Sequence, residues 1–240
     1  MSDRRFRIAT AIGVVTLAVI LFLVSPFFSV TEVVVTGYNR VSRTEIITML
    51  GVDSSTNLLF FRQSAARQRV MENLYIGDVI FERALPGRLY VMIQERRLTA
   101  YVEHMPGSFL FLDDTGRVLE IRTYFAEPLP VLVGLDFTRF RLGEVLEVPD
   151  TVSFGAVVQY AQLLNTHGLI HQVSHMNVSD SENIRIMIGH KEFNVGGIIG
   201  ADVKVRTIVE ILEVLPNPEL MRGFATIRHN SFEHFFEIMQ

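Results

Sequence analysis

No cysteine occurs anywhere in the 240 residues. That absence removes disulfides, cysteine zinc sites, thiol nucleophiles and iron–sulfur clusters together. It leaves the compartment open, because an exported domain with a sufficient core needs no staple. An excess of base is also missing: 26 acidic residues stand against 22 Lys plus Arg, a net charge of −4. A general nucleic-acid binder carries a basic field to meet phosphates, so no nucleic-acid partner is expected. Internal repeats and low-complexity stretches are lacking as well. What is abundant is apolar residue, at 49% of the chain, which excludes a disordered protein.

Part of that apolar content is concentrated at the front. From Ile8 to Phe28 the chain reads IATAIGVVTLAVILFLVSPFF, and no charge falls between Arg7 and Glu32. A helix of that length spans ~31 Å, the thickness of a bilayer's hydrocarbon core. Arg4, Arg5 and Arg7 precede it against Asp3 alone, which predicts a cytoplasmic N-terminus. The exit, Leu23-Val24-Ser25-Pro26-Phe27-Phe28, is bulky and has no small-residue cleavage pattern. An uncleaved anchor is therefore expected rather than a removed signal peptide. No second apolar run of that length follows, so a single crossing is expected, with everything beyond Phe28 outside the cytoplasm. That portion carries a net charge of about −6.

The remainder reads as two units with a break near Arg97. In the first, Val30, Val33 and Val35 lie in a β-branched run ending at Gly37. Ser42-Arg43-Thr44-Glu45 is a capping box, and Gly51 stops the helix it opens. A second helix is predicted over Gln63 to about Leu74. Two strands follow, one containing Val79 and Phe81 and one containing Leu89, Val91 and Ile93, joined by the turn Leu85-Pro86-Gly87. The order β-α-α-β-β implies helices on one face of a small sheet.

In the second unit, Phe109–Leu112 and Val118–Ile121 read as a hairpin, and Leu129–Gly134 as a short extended segment. Pro149-Asp150-Thr151 opens a helix with Phe154, Val157, Val158 and Ala161 on its face. Three strands are expected within 173–178, 184–188 and 193–195. A second amphipathic helix carries Val205, Ile208, Val209, Leu212 and Leu215 and is closed by Pro216-Asn217-Pro218. Phe224–Arg228 and Phe232–Ile238 are the last extended runs. The fold class is α+β, the second unit having two helices and a mostly antiparallel sheet.

Several motifs invite a chemical reading and carry little of it. Asp114-Thr115-Gly116 after an apolar pair matches the aspartic-protease signature, but that chemistry needs two carboxylates sharing a proton. A hairpin turn with Gly116 at positive φ is the expected role. His167, His171 and His175 recur every four residues, yet a helix through them would have to cross Gly168 and enter a strand-like segment. Gly196-Gly197-Ile198-Ile199-Gly200 lacks the Lys-Ser/Thr of a phosphate loop and reads as the strand exit before the Asp202 helix. Phe232, Phe235 and Phe236 form either the core side of a last strand or a sticky edge. Glu95-Arg96 is a charge pair at a strand end, expected to be a salt bridge at the hinge between the units rather than a direct ligand contact. No catalytic residue, cofactor or metal is expected.

The first unit resembles a POTRA domain, and the chain as a whole resembles the FtsQ/DivIB family of bacterial division proteins. The resemblance runs through Phe28-Ser29-Val30, Val35-Thr36-Gly37-Tyr38-Asn39, Val41-Ser42, Glu45-Ile46, Leu50-Gly51 and Asn57-Leu58. It is most specific from Ile76 through Val79, Phe81, Arg83, Pro86, Leu89, Val91 and Ile93 to Glu95-Arg96, and continues through Asp113, Gly116, Val118 and Leu129-Pro130 to Gly134. Tyr75 replaces a usual proline, Leu98-Thr99 a usual Pro-Val, and Ala225-Thr226-Ile227-Arg228-His229 a run that often carries an acid and an aromatic.

The resemblance implies a cytoplasmic tail over 1–7, a transmembrane helix over 8–28, a POTRA domain over 29–97 and a family-type β domain over 98–240. It implies a non-catalytic septal scaffold. The implied partners are FtsB/DivIC-type and FtsL-type proteins, the lipid bilayer through one helix, and a septal peptidoglycan synthase. It also implies that Ile227, Arg228, His229, Asn230, Ser231 and Phe232 lie near the edge that accepts a partner strand. A proline at Ser231 is expected to remove a donor from that edge. The alternative placement of this segment is inside the core. The alternative function is a membrane-anchored cell-wall hydrolase or peptidase, and a second is an outer-membrane assembly component of the kind that also carries POTRA units.

Overall fold

The computed structural model describes residues 2–124, 127–215, 221–228 and 231–238. The expected helix stop at Pro216 to Pro218 and the positions His229 and Asn230 lie outside these described residues, as do the side chains of Arg228 and of 231–238. Two units are separable, Met1–Arg96 and Arg97–Gln240.

The first unit opens with helix α1 (Ser2–Leu23), whose side chains from Phe6 onward are exposed. The segment Phe6–Phe28 is long and apolar enough to cross a membrane. A 3-10 turn over Pro26–Phe28 leads into β1 (Glu32–Thr36), followed by α2 (Arg43–Leu50), α3 (Gln63–Val70), β2 (Ile76–Ala84) and β3 (Arg88–Glu95). The β-α-α-β-β order is the one the sequence predicts. The strands stand in the order β1-β3-β2, with β1 parallel to β3 and β2 antiparallel to it. Ile46, Leu50, Ala66 and Val70 from the helices meet Val35, Val79, Leu89, Val91 and Ile93 from the sheet. Alternate residues of β3 are buried, as period-two patterning requires.

Two local expectations need correction. Ser42 does cap α2, its hydroxyl accepting from the Glu45 N–H at 3.2 Å. The reciprocal half of the capping box is absent: Glu45 Oε1 accepts instead from Asn73 Nδ2 at 3.1 Å. The second helix ends at Val70, four residues before the predicted stop. Asn73 breaks it, its carbonyl and side chain accepting from Ile76 N–H and Tyr75 N–H and turning the chain into β2.

The second unit holds β4 (Leu98–Met105), β5 (Ser108–Asp113), β6 (Val118–Arg122), β7 (Val131–Val133), α4 (Thr151–Thr166), β8 (Val173–Asn177), β9 (Arg185–Ile188), β10 (Lys191–Asn194), α5 (Ala201–Val214), β11 (Met221–Arg228) and β12 (Ser231–Ile238). They form one sheet in the order β12-β11-β10-β9-β8-β7-β4-β5-β6. β4 has no counterpart among the predicted strands. Its first five residues are buried in succession, so no alternation marks it in the sequence. It turns the expected hairpin into a three-stranded meander.

The pairing is mostly antiparallel, as expected, but β4–β7, β7–β8 and β10–β11 are parallel. Two of these follow from chain length: α4 lies between β7 and β8, and α5 between β10 and β11. A helix-length connection is what a parallel neighbour requires. Register aligns Ala225, Phe193, Ile186, Met176, Leu132, Val102 and Leu110 in one row across seven strands. All seven are buried. α4 buries Phe154, Val157 and Ala161 as predicted, together with Ala156, Tyr160 and Leu164. α5 buries Val205 and Ile208, while Val209, Leu212 and Leu215 are only half-buried.

Candidate partner-binding edge

β12 is the terminal strand of the nine-stranded sheet, bonded to β11 on one side only among the described residues. Such a strand offers a row of N–H and C=O groups to another chain. The pairing register fixes which groups those are. Arg228 stands opposite Ser231 across a two-residue connection, so these two close the hairpin with mutual backbone bonds. The groups of Ser231 therefore face β11. By alternation, the backbone groups of Phe232, His234, Phe236 and Ile238 face outward. This corrects the expectation that proline at Ser231 removes an edge donor: it would break the hairpin closure instead.

The other residues of the segment divide by face. Ile227 is buried beside Ala225, on the side of the core row. Phe224 is 53% exposed on the opposite face, opposite Glu192 in the register. The sequence alternation Phe-Ala-Thr-Ile over 224–227 marks this division once the strand is recognised, and Phe224 stands outside the six residues expected to bind.

The motifs with a chemical look resolve into structural parts. At the Asp113–Gly116 turn, the buried Asp113 is the organising carboxylate: Oδ1 accepts from Thr115 N–H at 2.8 Å, Thr115 Oγ1 at 2.6 Å and Arg117 N–H at 2.9 Å. Asp114 is exposed, and its carbonyl accepts from Gln162 of α4. Gly116 has φ +76, as a turn role predicts. The three histidines fall in three different elements: His167 caps the end of α4, His171 sits in the 3-10 turn Ile170–Gln172, and His175 lies in β8. Among the described residues no group of three His, Cys, Asp or Glu side chains is arranged to hold a metal ion. The glycine run is the exit from β10 into α5, with Gly200 at the helix start. Its Gly197 carbonyl accepts from Lys204 Nζ at 2.7 Å and Tyr160 Oη at 2.9 Å. Burial pushes the Lys204 amine below its ordinary range, partly offset by the nearby Glu182 carboxylate.

Glu95 is not a hinge salt bridge. Its carboxylate accepts from three consecutive backbone amides of the first unit, Asn39 at 2.9 Å, Arg40 at 2.8 Å and Val41 at 2.9 Å. Burial acts to raise its pKa, but the three N–H donors and the Arg40 charge outweigh this and hold it below the ordinary carboxylate range. Glu95→Gln puts an amide donor against one of the backbone donors. For this partly exposed site the expected cost is about 1–2 kcal/mol. A folded pKa below the unfolded one contributes stability above the unfolded value, which is lost as pH falls through the folded one. Melting temperatures of the native and Gln chains, measured from neutral to acid pH, should converge at the acid end.

A family model described as POTRA domain, FtsQ-type, matches residues 28–96. The chain is 24% identical over 215 residues to the cell division protein DivIB of Clostridium tetani, covering 89% of this chain and 79% of that one. It is 21% identical over 228 residues to DivIB of Clostridium botulinum strain Hall, covering 94% and 88%. A shorter match, 31% identical over 112 residues, links it to the cell division protein FtsQ of Bradyrhizobium diazoefficiens, covering 45% of this chain and 32% of the relative. With an apolar N-terminal helix, a match to the FtsQ-type POTRA domain over residues 28–96 and a sheet-rich unit in that order, the chain is similar along most of its length to the FtsQ/DivIB cell division proteins.

Proposed function

We propose that this chain is a non-catalytic, single-pass scaffold of the bacterial division machinery. Residues 1–7 stay in the cytoplasm, 8–28 cross the membrane, and the POTRA domain (29–97) and β domain (98–240) stand outside at the septum. The β domain takes up a strand from an FtsB/DivIC-type partner, together with an FtsL-type protein, and the assembly acts on a septal peptidoglycan synthase. The observation that carries this reading is the terminal position of β12, with backbone groups of alternate residues facing away from β11. An incoming strand satisfies such groups, and alternate side chains set its specificity. Among the described residues the aspartate turn and the glycine run are held by local hydrogen bonds and the three histidines fall in three different elements, so none of these motifs supports the hydrolase reading.

His234→Pro tests the proposal. Proline is tolerated on an edge strand when its missing N–H faces away from the sheet. The full-length variant, recovered in membranes, should keep its melting temperature within a few degrees of the native chain. It should lose at least about tenfold in capture of the FtsB/DivIC-type partner, the equivalent of one or two hydrogen bonds and a steric block. Undiminished capture by a folded His234→Pro chain would remove β12 as the acceptor.

A further inference from the structure

The C-terminal end of α1 presents an unusual solution to a general problem. The last carbonyls of a helix have no intrahelical donors, and near a bilayer water does not readily supply them. Here Ile20 O accepts from Val24 N–H and Phe22 O from Ser25 N–H. Pro26 has no N–H to give. Leu23 O is satisfied from far along the chain, by Asn57 Nδ2 at 2.8 Å. The same Asn57 side chain accepts from Leu59 N–H through Oδ1 at 2.9 Å. One amide therefore ties the loop 57–61 to the end of the helix.

Further bonds make this tie rigid. Leu58 N–H donates to Phe28 O at 2.8 Å, and Val30 N–H to Thr56 O at 2.9 Å. Arg83 reaches from β2 to donate to Leu59 O at 3.1 Å and Phe61 O at 2.7 Å. The next turn, at Gly87, docks beneath the same exit, its carbonyl accepting from Thr31 N–H at 2.8 Å. The result is a fixed platform that nonetheless displays large apolar side chains: Phe27 is 59% exposed, Phe60 58% and Leu85 55%. Phe27 also packs on Phe22 of the helix, with ring centroids 5.7 Å apart. Arg62 stands exposed beside Phe60.

We propose that this pole of the POTRA domain is a membrane-interface foot, with Phe60, Phe27 and Leu85 seated at the boundary between lipid headgroups and acyl chains. The inference rests on the reading of α1 as a membrane anchor. The occupant follows from continuity: if α1 spans the bilayer, Leu23 O lies at its outer boundary, and a loop bonded to that atom lies there too. Exposed aromatics at that depth are stabilised by lipid, and an adjacent Arg suits the phosphates. The anchor then does more than tether. It holds the domain in one orientation to the membrane surface.

The absence of tryptophan from the chain allows a direct test. Three full-length chains, Val15→Trp, Phe60→Trp and Met92→Trp, are reconstituted in phosphatidylethanolamine–phosphatidylglycerol vesicles containing lipids brominated either close to the headgroup or deep in the acyl chain. Met92 is exposed on the open face of the sheet, roughly 17 Å along β3 from the docked turn. Deep bromines should quench Val15→Trp. Shallow bromines should cut the emission of Phe60→Trp by roughly half or more, since interfacial side chains sit about 5–10 Å deep. Met92→Trp should be unaffected. Leu85→Trp gives a second reading of the same surface should Phe60→Trp alter the loop. Quenching of Val15→Trp while Phe60→Trp and Leu85→Trp behave like Met92→Trp overturns the foot and leaves the anchor standing, with a protein partner as the cover for these side chains. No quenching of Val15→Trp overturns the anchor and the foot together.

Discussion

Gly116→Val is expected to cost the second unit about 2–6 kcal/mol, the sum of positive-φ strain and overpacking. Gly116 sits at φ +76, a conformation that β-branched residues avoid. A Cβ there would lie 2.3 Å from Cζ of Phe154, on the face of α4 that packs into the core. Neither the turn nor the ring can yield cheaply. Asp113 holds the turn by three bonds, and Gln162 of α4 clamps the Asp114 carbonyl. Single domains have about 5–15 kcal/mol in hand, so the variant forfeits a large part of the margin, roughly 10 °C or more in melting temperature. Asp114→Asn makes the contrast. That side chain is exposed, asparagine suits a turn, and the expected change is within about 0.5 kcal/mol. Thermal unfolding of the two variants beside the native chain reads both. If Asp114→Asn also abolishes division function while fold and abundance stay normal, a chemical role for that carboxylate returns.

Val15→Arg is the second large effect. Val15 lies well inside α1, about two turns from its end at Leu23, and is 63% exposed. An arginine near the centre of a spanning helix costs about 2.5–3.5 kcal/mol of insertion on the translocon scale. Among the described residues α1 is the one segment long and apolar enough to span, so no neighbouring helix there shelters the charge. The expected result is a marked shift from the carbonate-resistant membrane fraction to the soluble or degraded pool. Ser25→Arg, just beyond the helix, should be far milder because a long side chain there reaches water. Equal membrane retention of Val15→Arg and the native chain would show that α1 does not span.

Much of the local structure was legible because its causes are local. The run from Ile8 to Phe28 is apolar and uncharged whatever it packs against. Ser42 and Gly51 bound α2 through groups no more than a few residues away. Val79, Leu89, Val91 and Ile93 alternate with exposed neighbours because one face of the small sheet is covered and the other is not. Gly116 follows from the turn that contains it. The candidate edge was legible only in part: the last extended runs could be read from their β-branched and aromatic residues, but not which backbone groups point outward.

What the tertiary structure decided are the relations between distant residues. β4 is buried on successive positions, so period two disappears and only its partners β5 and β7 reveal it. The parallel pairs depend on where a helix returns the chain, which composition does not record. Glu95 looked like a hinge charge until three amides fifty-odd residues earlier proved to be its partners. Asn57 carried no structural expectation until its amide met the end of α1. Ser231 and Phe232 turn their backbone groups to opposite sides of β12 through one step of register. The sequence by itself determined most of the elements, β4 excepted, because periodicity, caps and turn chemistry act over a few residues. The partners of those elements were decided only on folding, because a hydrogen bond between distant residues is satisfied by register and leaves no local mark.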